Sequence, residues 1–523
     1  KRTAGVDGRK NLTPTQRMQL VTILRLPEKA PPTRRVWIPK PGSTEQRPLG
    51  IPTIHDRAAQ ALVKLALEPE WEARFEPNSY GFRPGRSAHD AVEAIFVGIH
   101  YRDKYVLDAD ITKCFDRINH QALLTKLHTY PTMRRAIRAW LRAGVLDGAD
   151  LFPTRSGTPQ GGVISPLLAN IALHGLESAL RRCATQRQGP LKVVRYADDF
   201  VVLHPDLAVI ERATAAATAW LATLGLELQP SKTRITHTLV PYEGAIGFDF
   251  LGFTVRQFRV GQTHSGKYVS NLQGTIRLLG FKTIIKPSRR AVVRHLAAVK
   301  EVIRRNRSSR QEAVVHQLNP VMRGWSNYYR SSVAKATFRR LDHLVYEKLR
   351  AWAQRRHQHR SRRWVARKYW RLHEGLGWTF GAKNGERLHT YARIPIQWHT
   401  KVQGTRSPFD GDWPYWAARL GRHPELPPPV AASLKRQQGK CARCGLHFTL
   451  ADTLIESDHR IPRARKGADR GGNRQLMHGH CHDSKTAEDP VTLRRWSLDN
   501  DQIVEEPDEF ERLTSGFVGG SAG

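Results

Sequence analysis

The chain has 523 residues, too many for one core and enough for three or four domains. Its 84 Lys and Arg against 47 Asp and Glu give a formal charge of +37, a surface suited to a polyanion and most plausibly to nucleic acid. There is no apolar run of about eighteen residues and no signal peptide, so a soluble intracellular protein with no membrane partner is expected.

Residues 1 to about 275 alternate helical and strand-like patterns between Gly/Pro turns, as an α+β or α/β domain would. Strands are predicted over Tyr105 to Asp110, across Val193 to Leu203 and over Phe248 to Val255. The second is interrupted, because RYADDFVVLH (195–204) sets Asp198 and Asp199 between apolar β-branched stretches. Alone, that pair reads equally well as a turn. A second site shifts the balance: YVLDADITKCFD (105–116) is another apolar strand ending in acids, with Asp108 and Asp110 on one face because strand side chains alternate. Carboxylates on neighbouring strands repel unless a cation lies between them, and hard oxygen ligands suit Mg²⁺. In a two-metal mechanism such a cluster activates an attacking hydroxyl and stabilises a leaving oxygen, so nucleotidyl transfer is the leading expectation. Cys114 and Cys183 stand alone and are expected to be buried small apolar residues.

From about 280 the strands are expected to disappear. Ser288 can cap a helix whose apolar positions Val292, Leu296, Val299 and Ile303 recur at helical steps, with Arg and Lys on the remainder. Phe338, Leu341, Val345, Lys348 and Trp352 form a second such face, broken at the Lys. In LNPVMRGWSNYYR (318–330) the Trp and two Tyr at helical spacing are expected in a core rather than under nucleic-acid bases. Between about 355 and 430 the pattern weakens, Arg, Trp and Tyr interleave over 362–371, and LPPPV (426–430) marks a linker.

The last module is expected to begin near Ala431. CARC (441–444) and HGHC (478–481) offer two pairs of soft ligands, and Cys441, Cys444, His478 and Cys481 make a closed Cys₃His set for structural Zn²⁺. His480 is out of phase and is expected to be a bystander.

YADD, with the upstream DADITKCFD, the intervening GTPQGGVISPLLANIAL and the downstream FDFLGF, resembles the ordered blocks of reverse transcriptases, specifically those encoded by group II introns. The blocks cover residues 5 to about 255. The resemblance implies a multidomain α+β protein: a right-hand polymerase with fingers and palm (1–279), a helical thumb or domain X (280–355), a DNA-binding region and linker (356–430), a small ββα zinc-bound HNH module (431–495) and a tail (496–523). It makes Asp110 and Asp198 the residues that hold two Mg²⁺ ions, with Asp199 assisting and the Ile111 carbonyl completing one shell; Asp108 and Asp116 become structural. Phe115 matches the bulky residue that blocks a ribose 2′-hydroxyl, so dNTPs are the expected substrate. Lys40, Arg47 and Arg57 match the basic residues around the triphosphate, Gln160 and Gly161 the chain beside nucleotide and template, and Arg83 and Arg86 a contact to template phosphate.

Inside the zinc brackets, ESDHRIP (456–462), Asn473 in GGNRQL and His482 in CHDSK resemble an HNH endonuclease. That match implies Asp458 and His482 around Mg²⁺ or another divalent ion, His459 as general base, and Asn473 orienting its loop. The whole implies a protein that helps splice a group II intron RNA, nicks target DNA and copies the intron from the cut end during retrohoming. The expected setting is the cytoplasm of a bacterial cell or an organelle of bacterial descent. Two other readings share parts of the pattern. A stand-alone host-defence reverse transcriptase fits poorly with domain X plus HNH, and an RNA-binding splicing factor without polymerase activity fits poorly with three intact Asp.

Overall fold

The computed structural model describes residues 3–39, 45–269, 275–373, 377–382, 385–422, 426–452, 454–469 and 472–488. Lys40 and the expected tail lie outside them. The chain divides into two compact units, 1–405 and 406–523, both of mixed α/β content.

The first unit is organised on a four-stranded sheet of β1 (Tyr105–Asp110), β2 (Lys192–Tyr196), β3 (Asp199–His204) and β4 (Arg234–His237), in the order β2-β3-β1-β4. The apolar side chains of its two middle strands alternate between two covered faces. Leu107, Ala109, Phe200 and Val202 enter one core with the helices Ser165–Leu173 and Leu207–Ala222. Val106, Val201 and Leu203 enter a second core on the other face, shared with the helix Ala88–Ile99 and the helices beyond 288. Pinned between two cores, the ends of these strands make a rigid platform. Cys114 is buried as expected, whereas Cys183 is only half-buried.

The strand predicted over Phe248 to Val255 is two strands, Phe248–Phe250 and Phe253–Arg259, because Leu251 and Gly252 both take positive φ and reverse the chain. Nor do the strands end near 280. Phe281–Pro287 pairs antiparallel with Phe253–Arg259, and its alternation buries Phe281, Ile285 and Pro287.

Ser288 does cap the next helix, α1 (Arg289–Arg305), accepting from the Ala291 amide. Its buried stripe is Ala291, His295, Val299 and Ile303, with Val292 and Leu296 at the edge of the core. Helix α2 (Gln311–Tyr329) brings Trp325, Tyr328 and Tyr329 into that core. In α3 (Lys335–Arg355) the buried stripe passes through Leu349, not Lys348, which falls beside it. The next stretch does not leave this body. Helix α4 (Arg362–Tyr369) and the hairpin Trp370–His373/Gly377–Phe380 send Val365, Tyr369, Trp370 and Phe380 into the same core, so much of the aromatic content expected at a DNA-binding surface is used in packing.

In the second unit LPPPV is not a linker. Pro428 opens the helix Pro428–Arg436, where a missing N–H costs nothing, and Val430 is buried with Ala431 and Leu434. The rest is a hairpin of β5 (Ile455–His459) and β6 (Arg474–His478) followed by α5 (Gly479–Glu488), a ββα arrangement over Cys441, Phe448, Leu476, Met477 and Cys481.

Candidate functional site: a carboxylate hairpin and a Cys/His module

Register brings the acids of the first unit together. Asp110, the last residue of β1, lies directly across from Asp199, the first of β3, and Asp198 occupies the turn between β2 and β3. The buried Ile111 amide donates to the Asp198 carbonyl at 3.3 Å, closing the turn onto the end of β1. Burial, then the charges of Asp198 and Asp110, push the Asp199 carboxyl well above the usual range. Burial and Asp110 also raise Asp198, against the opposing pull of Lys232 and Arg47. The Lys232 ammonium is paired with Asp110. Three carboxylates held against one ammonium favour a divalent cation between them.

The turn is braced by residues that the sequence reading missed. Ala197 sits at φ +58°, a conformation costly for a side chain with a Cβ. The buried Arg195 guanidinium donates to the Ala197 carbonyl (3.1 Å), to Asn170 Oδ1 (3.1 Å) and to Ser79 Oγ (2.7 Å). Asn170 in turn donates to the Gly81 carbonyl at 2.8 Å. A Cβ on Gly81 would stand 2.3 Å from the Ala197 amide nitrogen, so only glycine fits against the turn. The available signal was an Arg and an Asn inside otherwise apolar segments, VVRY and LLANIAL.

Asp108 is paired with Arg234 at 3.3 Å, and burial pushes its carboxyl up to about 6. Asp116 accepts from the Gln160 side chain at 3.3 Å. The Gln160 carbonyl accepts from the Gly50 amide at 2.7 Å, which ties this segment to the strand Gln46–Ile51 carrying Arg47. Arg47 is exposed, and its charge acts on Asp198. Arg57 donates to the Thr3 carbonyl at 3.1 Å. Phe115 is half-buried and meets the Phe82 ring edge to face, with centroids 5.9 Å apart.

Arg83 and Arg86 are not available to a template phosphate. Arg83 is buried in an ion pair with Glu72 (2.8 Å) and donates to the Glu76 and Ser79 carbonyls; Arg86 is buried and donates to the carbonyls of Pro77 and Gly404. Their five-donor guanidiniums serve the carbonyls of a bend of the chain.

In the second unit Cys441, Cys444, His478 and Cys481 offer ligand atoms that all lie within 4.8 Å of one another. Burial opposes ionisation of Cys441, but the amides of Cys444, Arg443 and His478 outweigh it and hold the thiol at about 6. Such a closed set of soft donors fits Zn²⁺. His480 stacks on His478 and is not among the four.

Asp458 and His459 end β5, and His482 projects from α5. Asp458 accepts from Gln475 at 2.9 Å and is paired with Lys485, which also donates to the His459 carbonyl; His482 Nε2 stands 3.9 Å from it. The closer partner of His482 is Glu456, missed in the sequence although it lies two residues before Asp458, on the same strand face. Glu456, His482 and Asp483 group their ligand atoms within 4.8 Å. His459 Nε2 lies 3.2 Å from Asp469. Asn473 accepts from the Ile461 amide (3.0 Å) and donates to the Ile461 carbonyl (2.9 Å), locking the loop after His459.

Three family models match the chain in order: reverse transcriptase (RNA-dependent DNA polymerase) over 38–255, the group II intron maturase-specific domain over 292–370, and HNH endonuclease over 441–488. The second runs beyond the limit of 355 expected for the helical module. The group II intron-encoded protein LtrA of Lactococcus lactis subsp. cremoris is 31% identical over 322 residues, covering 47% of this chain and 51% of LtrA. Protein YkfC of Escherichia coli K12 is 33% identical over 257 residues, 42% of this chain and 66% of its own length. The uncharacterised 91 kDa protein in the cob intron of Schizosaccharomyces pombe is 28% identical over 372 residues, 57% of this chain and 43% of its own. The chain thus spans about half the length of LtrA. With the carboxylate hairpin inside the first match and the Cys/His cluster inside the third, the chain belongs to the group II intron-encoded reverse transcriptase/maturase proteins that carry a C-terminal HNH endonuclease domain.

Proposed function

We propose that the protein is a multifunctional group II intron-encoded enzyme: an RNA-directed DNA polymerase, a maturase for its intron RNA, and an HNH nuclease that nicks target DNA for retrohoming. The observation that carries the reading is the meeting of Asp110, Asp198 and Asp199 at one end of a sheet held between two cores. In this reading the four-stranded sheet is the palm, the strands Thr33–Pro39 and Gln46–Ile51 belong to the fingers, and α1 to α3 form the thumb.

Asp110 and Asp198 would hold two Mg²⁺, helped by Asp199 and the Ile111 carbonyl. Bound there, the ions would lower the pKa of the primer 3′-hydroxyl and offset charge on the departing pyrophosphate. The chain's own groups do the rest. Arg47, with Lys40 and Arg57, takes the triphosphate through charge-assisted hydrogen bonds. The Phe115 ring stands where a ribose 2′-hydroxyl would go. Gln160 fixes the segment beside the nucleotide through Asp116 and Gly50.

In the second unit His459 is the general base. Its Nε2 faces Asp469, which leaves Nδ1 free to accept a proton from water. Asp458 and His482 would hold the divalent ion, and Zn²⁺ in the Cys₃His set would fix the hairpin to α5. The Arg- and Lys-rich faces of α1 and α3 suit RNA read through phosphate and shape. Among the described residues no helix is long and apolar enough to cross a membrane; the likeness to LtrA of Lactococcus lactis supports a bacterial cytoplasmic or organellar setting. The protein, incubated with its intron RNA, DNA target and dNTPs, should splice, nick and extend; His459→Ala should remove nicking and leave extension from a pre-nicked end. Nicking that survives the substitution would remove His459 as the base.

A further inference from the structure

Phe82 is the anomaly of the first unit. It sits at φ +61°, a region that aromatic residues rarely adopt, yet it is 50% exposed while its neighbours Tyr80, Gly81 and Arg83 are buried. Core packing therefore does not explain the ring, and a turn alone would be better served by glycine or asparagine. Strain of this kind is retained where the surroundings over-determine it, often beside a functional group. Here the surroundings are specific. On one side Gly81 is locked against the Ala197–Asp198 turn through Asn170. On the other, the Phe82 ring meets Phe115 at an interplanar angle of 82°.

We infer that Phe82 is a specificity-determining residue of the polymerase site, whose ring braces Phe115 and so sets discrimination against ribonucleotides. The inference rests on the reading of Phe115 as the residue that excludes a 2′-hydroxyl. A barrier to one hydroxyl works only if it does not swing aside. The core restrains one side of the half-buried Phe115, and its carbonyl accepts from the Thr158 amide at 2.6 Å. Phe82 meets the ring edge to face away from that core. Because Phe82 is anchored through Gly81 to the turn that carries Asp198, the brace and the acids share one frame.

The test is the ratio of kcat/KM for a dNTP to that for the matching rNTP, measured by primer extension on an RNA template. Phe82→Gly removes the ring and the strain together, so it should leave the melting temperature unchanged or raised while the ratio falls about threefold to tenfold, the scale of one aromatic contact. Phe82→Tyr keeps the ring and should keep the ratio. Phe115→Ala should lower the ratio by more, and adding Phe82→Gly to it should change nothing further. An unchanged ratio in Phe82→Gly overturns the brace, as does an equal drop with and without Phe115. An unchanged ratio in Phe115→Ala instead overturns the underlying reading of that residue.

Discussion

An alanine at position 81 would place its Cβ 2.3 Å from the Ala197 amide nitrogen, 2.9 Å from the Tyr196 carbonyl carbon and 3.0 Å from the Ala197 Cα. All three are backbone atoms, so none can rotate aside. Ordinary contact begins near 3.4 Å, and the turn must therefore yield by about 1 Å. The residue next to the clash is Asp198, whose carbonyl is tied to the Ile111 amide beside Asp110. Overpacking on this scale costs about 1–3 kcal/mol of stability. The catalytic cost should be larger in effect, since a misplacement of about 1 Å lowers a rate on the order of 100-fold. Gly81→Ala should accordingly reduce single-turnover primer extension at saturating dNTP about 100-fold, while RNA binding, followed by filter retention, stays near that of the parent. A rate within about threefold of the parent in a folded variant would refute the idea that Gly81 sets the position of the turn.

Three further outcomes are expected. Arg83→Met leaves Glu72 buried at 1% exposure without its partner, which should cost about 3–5 kcal/mol and show as a lower melting temperature; a template-contact role would instead weaken template binding and leave melting alone. Asp108 holds its proton up to about pH 6 when folded but only to its usual 3.8 when unfolded, so the folded state binds the extra proton and stability falls as pH rises through that window, by up to about 3 kcal/mol. Asp108→Asn should remove that part of the slope in urea titrations run at pH 4 to 7, and an unaltered slope would show that Asp108 is not its source. Metal analysis should find one zinc per chain, lost with a chelator or in Cys444→Ser together with hydrogen-exchange protection in residues 406–488 but not with primer extension. Retained protection without metal would count against a structural zinc.

What could be read from the sequence is what breaks a local pattern. Asp198 and Asp199 stood out because they interrupt an apolar run, and the cysteines and His478 because of their spacing. What could not be read depends on partners far along the chain. Arg195 acts through Ser79, 116 residues away, and nothing near either position announces the other. Arg83 and Arg86 looked like phosphate contacts because a sequence does not reveal that the chain bends over them. LPPPV suggested a linker because Pro breaks helices as well as starting them, and only the burial of Val430 decides which. The strand Phe281–Pro287 is masked in the sequence because its weak alternation runs straight into the helical periodicity after Ser288. Glu456 is not legible as a partner of His482 because only the fold brings the strand and the helix that carry them together.

In the proposed function the carboxylates at the β2–β3 turn perform nucleotide addition while the basic helices bind RNA independently. The direct measurement is primer extension on an RNA template by the protein and by Asp198→Ala, with intron RNA affinity determined on the same preparations. Extension by the parent should depend on Mg²⁺ and be abolished in the variant, while the RNA dissociation constant stays within about twofold. Undiminished extension by Asp198→Ala would contradict it.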